Sequence, residues 1–137
     1  MRALHLGLRV TDLDRSLAFY RAVGYEVVGD VPDTDIGHLT MLQLPGDDFV
    51  TLELVHHPGY APTGGDTPLS HFVIQVDDLH RTRTELAARG IDVDEPTSPD
   101  GTPDFWTAML TDPDGNCIEL VQWPPGHPDG ITAADMS

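Results

Sequence analysis

The sequence predicts an α+β fold built from two tandem βαβββ modules, and three observations carry that expectation. A spacing of 66 residues takes His5 to His71 and Glu53 to Glu119, and the neighbours move with them. Val10-Thr11-Asp12-Leu13 maps onto Val76-Asp77-Asp78-Leu79, Arg15 onto Arg81, Gly24 onto Gly90, and Leu54-Val55 onto Leu120-Val121. Short runs of alternating apolar and polar residues read as strands with one buried face. Each half also holds one run of near-helical spacing, opened by an Asp and closed by a Gly.

The elements follow in order. Residues 4–10 alternate, with Leu4, Leu6, Leu8 and Val10 on one face and His5, Gly7 and Arg9 on the other. Thr11 or Asp12 caps a helix carrying Leu13, Leu17, Phe19, Tyr20 and Val23, which Gly24 stops. Strands are expected at 25–31, 39–44 and 49–55, with Gly46-Asp47-Asp48 turning between the last two. The second copy repeats this order. A strand at 70–76 leads to a helix capped by Asp78, running to Arg89 and ended by Gly90. Strands are then expected at 91–94, 105–110 and 116–122, the last two joined by the tight turn Asp112-Pro113-Asp114-Gly115. Residues 57–68 form a Gly/Pro/Thr-rich connector, 96–103 a Pro-rich loop, and 124–137 a loosely ordered tail. Module one is placed at 1–56 and module two at 69–123, together a single domain over 1–123.

Composition narrows the classes of function. At 137 residues and 39% hydrophobic content the chain can bury a sizeable core. A net charge of −16 repels nucleic acid and anionic membranes, so a small-molecule partner is expected and neither of those. The single Cys117 allows no intrachain disulfide, and no long apolar run marks a signal peptide or a membrane span. Both points favour the cytoplasm. All seven cationic side chains are Arg.

Strand parity places the repeated His and Glu residues. Side chains two apart share a face. His5 therefore lies with Gly7 and Arg9, His71 with Val73 and Gln75, Glu53 with Thr51 and Val55, and Glu119 with Cys117 and Val121. In all four strands the candidate ligand sits opposite the most apolar face. Taken singly, each is an ordinary polar residue on a solvated strand; two in-register pairs are a more specific pattern. Two imidazoles and two carboxylates suit a borderline divalent ion such as Ni2+, Co2+, Zn2+, Mn2+ or Fe2+. On a six-coordinate ion they leave two positions for water or substrate oxygens. Such an ion polarises a carbonyl or stabilises an enediolate, and a carboxylate ligand that detaches can carry the proton. Arg9, on the His5 face, suits bidentate anchoring of a substrate carboxylate, with a surface ion pair as the plainer alternative.

These segments resemble the vicinal oxygen chelate superfamily (the glyoxalase/bleomycin resistance/dioxygenase fold), and within it glyoxalase I, lactoylglutathione lyase. The likeness covers residues 1–123. It is carried by 4–10, by 12–20, by Leu52-Glu53-Leu54, by His71-Phe72, and by 112–120 with its Asp112-Pro113-Asp114-Gly115 turn. The resemblance implies that the two modules form a curved mixed-sheet cleft. It also implies that His5, Glu53, His71 and Glu119 bind one divalent ion per site, Ni2+ or Zn2+ first. The site would lie at the interface of a homodimer, with His5 and Glu53 of one chain facing His71 and Glu119 of the other. Glu119 would be the first candidate for the base that moves a proton between adjacent carbons of a hemithioacetal through a metal-bound enediolate. Glu53 would be its counterpart. Two departures bear on the substrate. His57 stands near where the bacterial pattern has an Asn, and 95–104 contains no cation to hold glutathione. A different thiol adduct, or a related 2-oxo or 2-hydroxy compound, is therefore expected alongside glyoxalase-type chemistry.

Three alternatives use the same fold. A metal-dependent dioxygenase needs two His and one Glu, leaving Glu53 unexplained. A drug-binding or resistance protein needs no metal. An acyl-CoA epimerase has an amide at the Glu53 position and needs cations for CoA phosphates. The other notable side chains read as structural. His38 and Asp104 start strands, His56 and His57 lie beside a solvated loop, His80 opens a helix, and His127 sits in the tail. Cys117 is a small strand residue that shares the face of Glu119. Phe105, Trp106, Met109 and Trp123 divide between core and substrate wall.

Overall fold

The computed structural model describes residues 3–61, 69–131 and 133–136. The chain forms two compact units, Met1–Gly65 and Asp66–Ser137. In the first, β1 (Leu6–Val10) leads to α1 (Leu13–Val23), β2 (Glu26–Val31), β3 (His38–Gln43) and β4 (Leu52–His56). The second holds β5 (His71–Gln75), α2 (Leu79–Ala88), β6 (Trp106–Thr111) and β7 (Cys117–Gln122), followed by a short 3-10 helix, Ala133–Met136. Two helices with two mixed sheets make the α+β class that the repeat predicts.

The local chemistry of each helix is plain. Asp12 rather than Thr11 caps α1, its Oδ1 accepting from the Arg15 N–H at 3.0 Å. Asp78 does the same for α2 through Arg81, also at 3.0 Å. The Gly24 N–H closes the first helix on the Tyr20 and Arg21 carbonyls. Each helix turns a buried stripe inward, Ser16 and Tyr20 on α1 and Leu79 and Leu86 on α2, and α2 packs against β6 and β7.

The sheets share one plan. The first has the order β1-β4-β3-β2 and the second β5-β7-β6, so each places its first and last strands side by side in parallel. The registers also match, since Gly7 pairs with Glu53 and Val73 with Glu119. One face of each sheet carries the core: Leu8, Val10, Leu52 and Leu54 in the first, Ile74, Ala108, Leu110, Ile118 and Leu120 in the second. Full burial of each large aliphatic side chain contributes roughly 1.5–3 kcal/mol. The Asp112 turn is tied down by its own carboxylate, which accepts from the Asp114 and Asn116 N–H groups and from Asn116 Nδ2. That motif is structural.

Two expectations need correction, and one falls partly outside the described residues. No ladder strand forms at 91–94. Ile91 and Val93 are buried, and Asp94 N–H reaches the Met109 carbonyl, but beyond that only Thr97 bridges to Thr107. Pro96 between those contacts has no N–H to donate, so the pairing is not continuous. The second unit accordingly has three ladder strands. The tail is not loose where it is described. Trp123 stacks between Phe105 (centroids 5.3 Å apart) and His127 (4.3 Å), and His127 Nε2 meets Asp135 Oδ1 at 2.7 Å. Most of the expected connector, residues 62–68, lies outside the described residues. Among the described residues, no helix is long and apolar enough to cross a membrane.

Candidate active site

The parallel pairing of β5 with β7 brings His71 and Glu119 to one face. His71 opposes Cys117, and Glu119 is two residues further along β7 on the same side. His71 Nε2 stands 3.3 Å from Glu119 Oε2. The first unit repeats the arrangement. His5 immediately precedes β1, and its Nε2 lies 3.6 Å from Glu53 Oε2. The carboxylates differ in burial, the Glu53 side chain being 11% exposed and Glu119 27%. Both histidines remain accessible, at 43% and 41%. Within either unit, among the described residues, no third His, Cys, Asp or Glu joins the pair. Each unit therefore carries two donors.

The geometry of each pair suits a shared ion. Two donors about 2.1 Å from one ion stand about 3.0 Å apart at a right angle and about 3.4 Å at the tetrahedral angle. The observed 3.3 and 3.6 Å fall at or just beyond that span. One imidazole is also oriented from behind, because His71 Nδ1 lies 3.0 Å from Ser70 Oγ. An Nδ1–H donated to Ser70 leaves the Nε2 lone pair on the Glu119 side, the usual arrangement for a ligating histidine. Ser70 is a site residue that the repeat did not expose; its only signal in sequence is a hydroxyl directly before a candidate ligand.

Each unit also has a cavity among its described residues. That of the first unit, about 380 Å³, has Arg9 and Val55 on its strand side and His57, Tyr60, Asp35 and Ile36 on its loop side. The loop reaches it through Gly37, whose φ of 121° and 2.6 Å approach to the His56 carbonyl, measured from a Cβ built there, admit no side chain. Among the described residues Arg9 makes no ion pair, which leaves its guanidinium available. Of the paired histidines, His57 lines this cavity, whereas His56 belongs to β4.

The cavity of the second unit is larger, about 640 Å³, and contains both His71 and Glu119. Val73, Thr107 and Val121 extend it along the sheet, while Phe105, Trp123 and Ile131 wall it. Asp129 joins the rim and accepts from Gln75 Nε2 at 3.1 Å. Among the described residues, the Trp123 indole Nε1 is the buried side-chain polar atom without a hydrogen-bond partner. Leaving such a donor unsatisfied costs about 1–3 kcal/mol. The Asp135 carboxylate, and after it the Pro128 carbonyl, hold the His127 imidazole above its ordinary value.

The remaining sequence candidates are structural. His38 pairs with Asp30 at 2.8 Å, and His80 meets the Trp106 ring edge-on. Trp106 donates its indole N–H to the Pro103 carbonyl at 2.8 Å. Cys117 is a half-buried free thiol on β7. The part played by the tail, through Trp123, His127, Asp129 and Ile131, was invisible to local pattern.

The chain is similar to known proteins over most of its length. Residues 2–120 match the family described as the Glyoxalase/Bleomycin resistance protein/Dioxygenase superfamily. A probable lactoylglutathione lyase of Vibrio cholerae is 35% identical over 130 residues, spanning 92% of this chain and 94% of that protein. Among solved structures, a glyoxalase I mutant from Zea mays is similar with a TM-score of 0.76 and 27% identity, over 90% of this chain and 45% of that one. The antibiotic binding protein TnmS3 from Streptomyces sp. CB03234 is similar with a TM-score of 0.66 and 29% identity, over 90% of this chain and 97% of that one. The chain belongs to the Glyoxalase/Bleomycin resistance protein/Dioxygenase superfamily.

Proposed function

We propose that this member of the superfamily is a metal-dependent lyase of the glyoxalase I type, acting on a thiol hemithioacetal or a related 2-oxo or 2-hydroxy compound. The observation that carries the reading is the duplicated His–Glu pair, held in the same sheet register in both units at 3.3 and 3.6 Å. Similarity to proteins named lactoylglutathione lyase supports it.

His5, Glu53, His71 and Glu119 would hold one divalent ion, Ni2+ or Zn2+ first, with Co2+, Mn2+ and Fe2+ also suited to this donor set. By resemblance to glyoxalase I, His5 and Glu53 of one chain and His71 and Glu119 of another would complete the set in a homodimer. When bound, the ion polarises the adjacent oxygens of the substrate and acidifies the carbon-bound hydrogen between them. Glu119, the more exposed carboxylate, would take that proton from the carbon bearing sulfur and return it to the neighbouring carbonyl carbon, while the hydroxyl proton passes from the oxygen of the first carbon to that of the second. The hemithioacetal becomes a 2-hydroxyacyl thioester with no net gain or loss of atoms. Glu53 would be its counterpart as proton carrier. Ser70 keeps His71 in the tautomer that leaves Nε2 free. Arg9 anchors a carboxylate of the thiol arm in the cavity of the first unit.

The test is metal analysis of the purified protein before and after chelation, followed by assay of hemithioacetals made from several thiols. Near-stoichiometric metal, with activity lost on chelation and restored on reloading, is the expected result. A protein that neither holds nor takes up any of these ions would refute it. That outcome would favour a second reading, a metal-free binder of apolar compounds, which the 640 Å³ aromatic-walled cavity and the likeness to an antibiotic binding protein support.

A further inference from the structure

The tail from Trp123 to Ile131 does more than follow the last strand. Its root is a three-layer column in which the Trp123 indole lies between Phe105 (16° from parallel) and His127 (9°). Both faces of the indole are covered, which makes the column a stiff wall rather than a free stacking platform. Beyond it, His127 is held to Asp135, and Asp129 is tied back to β5 through Gln75. Those ties set Asp129 and Ile131 on the cavity that contains His71 and Glu119.

The charge of this lining is one-sided. Its carboxylates are Glu119 and Asp129, and among the described residues no Arg lines it. Gln75 occupies only one oxygen of Asp129, so the charge stays in place. Val73, Val121, Phe105, Trp123 and Ile131 supply the rest of the surface, which favours burial of carbon. With Glu119 engaged by the ion, Asp129 is the carboxylate left facing a ligand at the far end of the lining, and an anionic group placed beside it would meet a like charge with no Arg to pair with.

We infer that Trp123–Ile131 is a specificity wall, and that Asp129 and Ile131 make this cavity a receptor for an uncharged apolar group, an aryl or branched-alkyl carbonyl substituent, while rejecting carboxylate-bearing groups. The inference rests on the function proposed above in taking His71 and Glu119 as the reacting end. It identifies which part of the substrate occupies the second unit, and it sends any anionic arm elsewhere.

A neutral and an anionic probe of the same shape, 4-acetylbenzamide and 4-acetylbenzoate, test this directly. In a Trp106→Phe background the only indole emission is that of Trp123, and binding is followed by titration of both probes, with metal content measured on the same samples. The benzamide should bind at least tenfold more tightly than the benzoate. Asp129→Lys, at an exposed position, should abolish or invert that preference, and Ile131→Glu should weaken the benzamide. Circular dichroism confirms that each variant is folded. Equal affinity for the two probes, binding of neither, or an unchanged preference in Asp129→Lys would overturn the inference. Loss of metal with the preference intact would strike the proposed function and leave the wall standing. Retained metal without a preference would strike the wall alone.

Discussion

Replacing Glu119 by Gln keeps the shape of the side chain and removes its charge, leaving His71 as the single strong donor of the second unit. The effect on metal affinity follows from the site's construction. Changing a group that merely orients a ligand costs about 10–100-fold in affinity, so losing a charged ligand should cost at least the upper figure. Free metal at 100 times the wild-type dissociation constant then stabilises the wild type by about 2.7 kcal/mol. The same concentration only matches the variant's dissociation constant and stabilises it by about 0.4 kcal/mol. The difference is about 2.3 kcal/mol. For a chain of this length, at about 3–5 °C per kcal/mol, the variant should show a metal-induced rise in Tm smaller by about 7–12 °C. Thermal unfolding with and without Ni2+ or Zn2+ at fixed free concentration reads this directly. The metal-free proteins should melt within a degree or two of one another, because the Glu119 carboxylate is partly solvated and its His71 partner is also exposed. An equal metal-induced shift in variant and wild type would refute the ligand assignment, whatever happened to activity.

Three further outcomes are expected. Ser70→Ala frees the His71 ring, and metal affinity measured by competition with a chelator should fall roughly tenfold while both ligands remain; an unchanged affinity would remove Ser70 from the site. Arg9→Met should raise KM for carboxylate-bearing substrates by about 10–100-fold with kcat and metal content nearly constant, since a charged hydrogen bond contributes about 1.5–3 kcal/mol; a fall in kcat alone would contradict an anchoring role. The third concerns pH. Hydrogen bonding from Asp135, with the Pro128 carbonyl second, raises the folded-state His127 value above the ordinary 6.5. The resulting stabilisation of the tail is complete below the unfolded value and is lost as pH rises through the folded one. Hydrogen exchange at residues 124–131 should therefore accelerate with rising pH, beyond its intrinsic pH dependence, and Asp135→Asn should remove that excess; a tail equally protected at all pH values in both proteins would contradict it.

The fold was legible wherever structure follows from near neighbours. Strand parity separated Leu8 and Val10 from His5 and Arg9, and Leu52 and Leu54 from Glu53, because alternation is a property of the extended backbone itself. Asp12 and Asp78 announced the helix starts because a cap bonds its own first turn. The spacing shared by the two His–Glu pairs likewise exposed the duplication before any contact was known. What sequence could not supply were contacts between segments whose meeting depends on the whole chain. The run at 91–94 had strand-like composition, but strand formation also requires a continuous partner ladder, which Pro96 interrupts beside β6. Gly37, His57 and Tyr60 shape the cavity beside Arg9 only because two loops converge there. Trp123 and His127 read as tail residues, yet stacking on Phe105 and the bond to Asp135 bring Asp129 and Ile131 over the cavity. The sequence by itself determined the repeat, the helix caps and the buried strand faces, since these rest on periodicity and local hydrogen bonding. Tertiary structure alone decided what surrounds the donors, because a cavity wall is made by residues that meet only after their separate elements have packed.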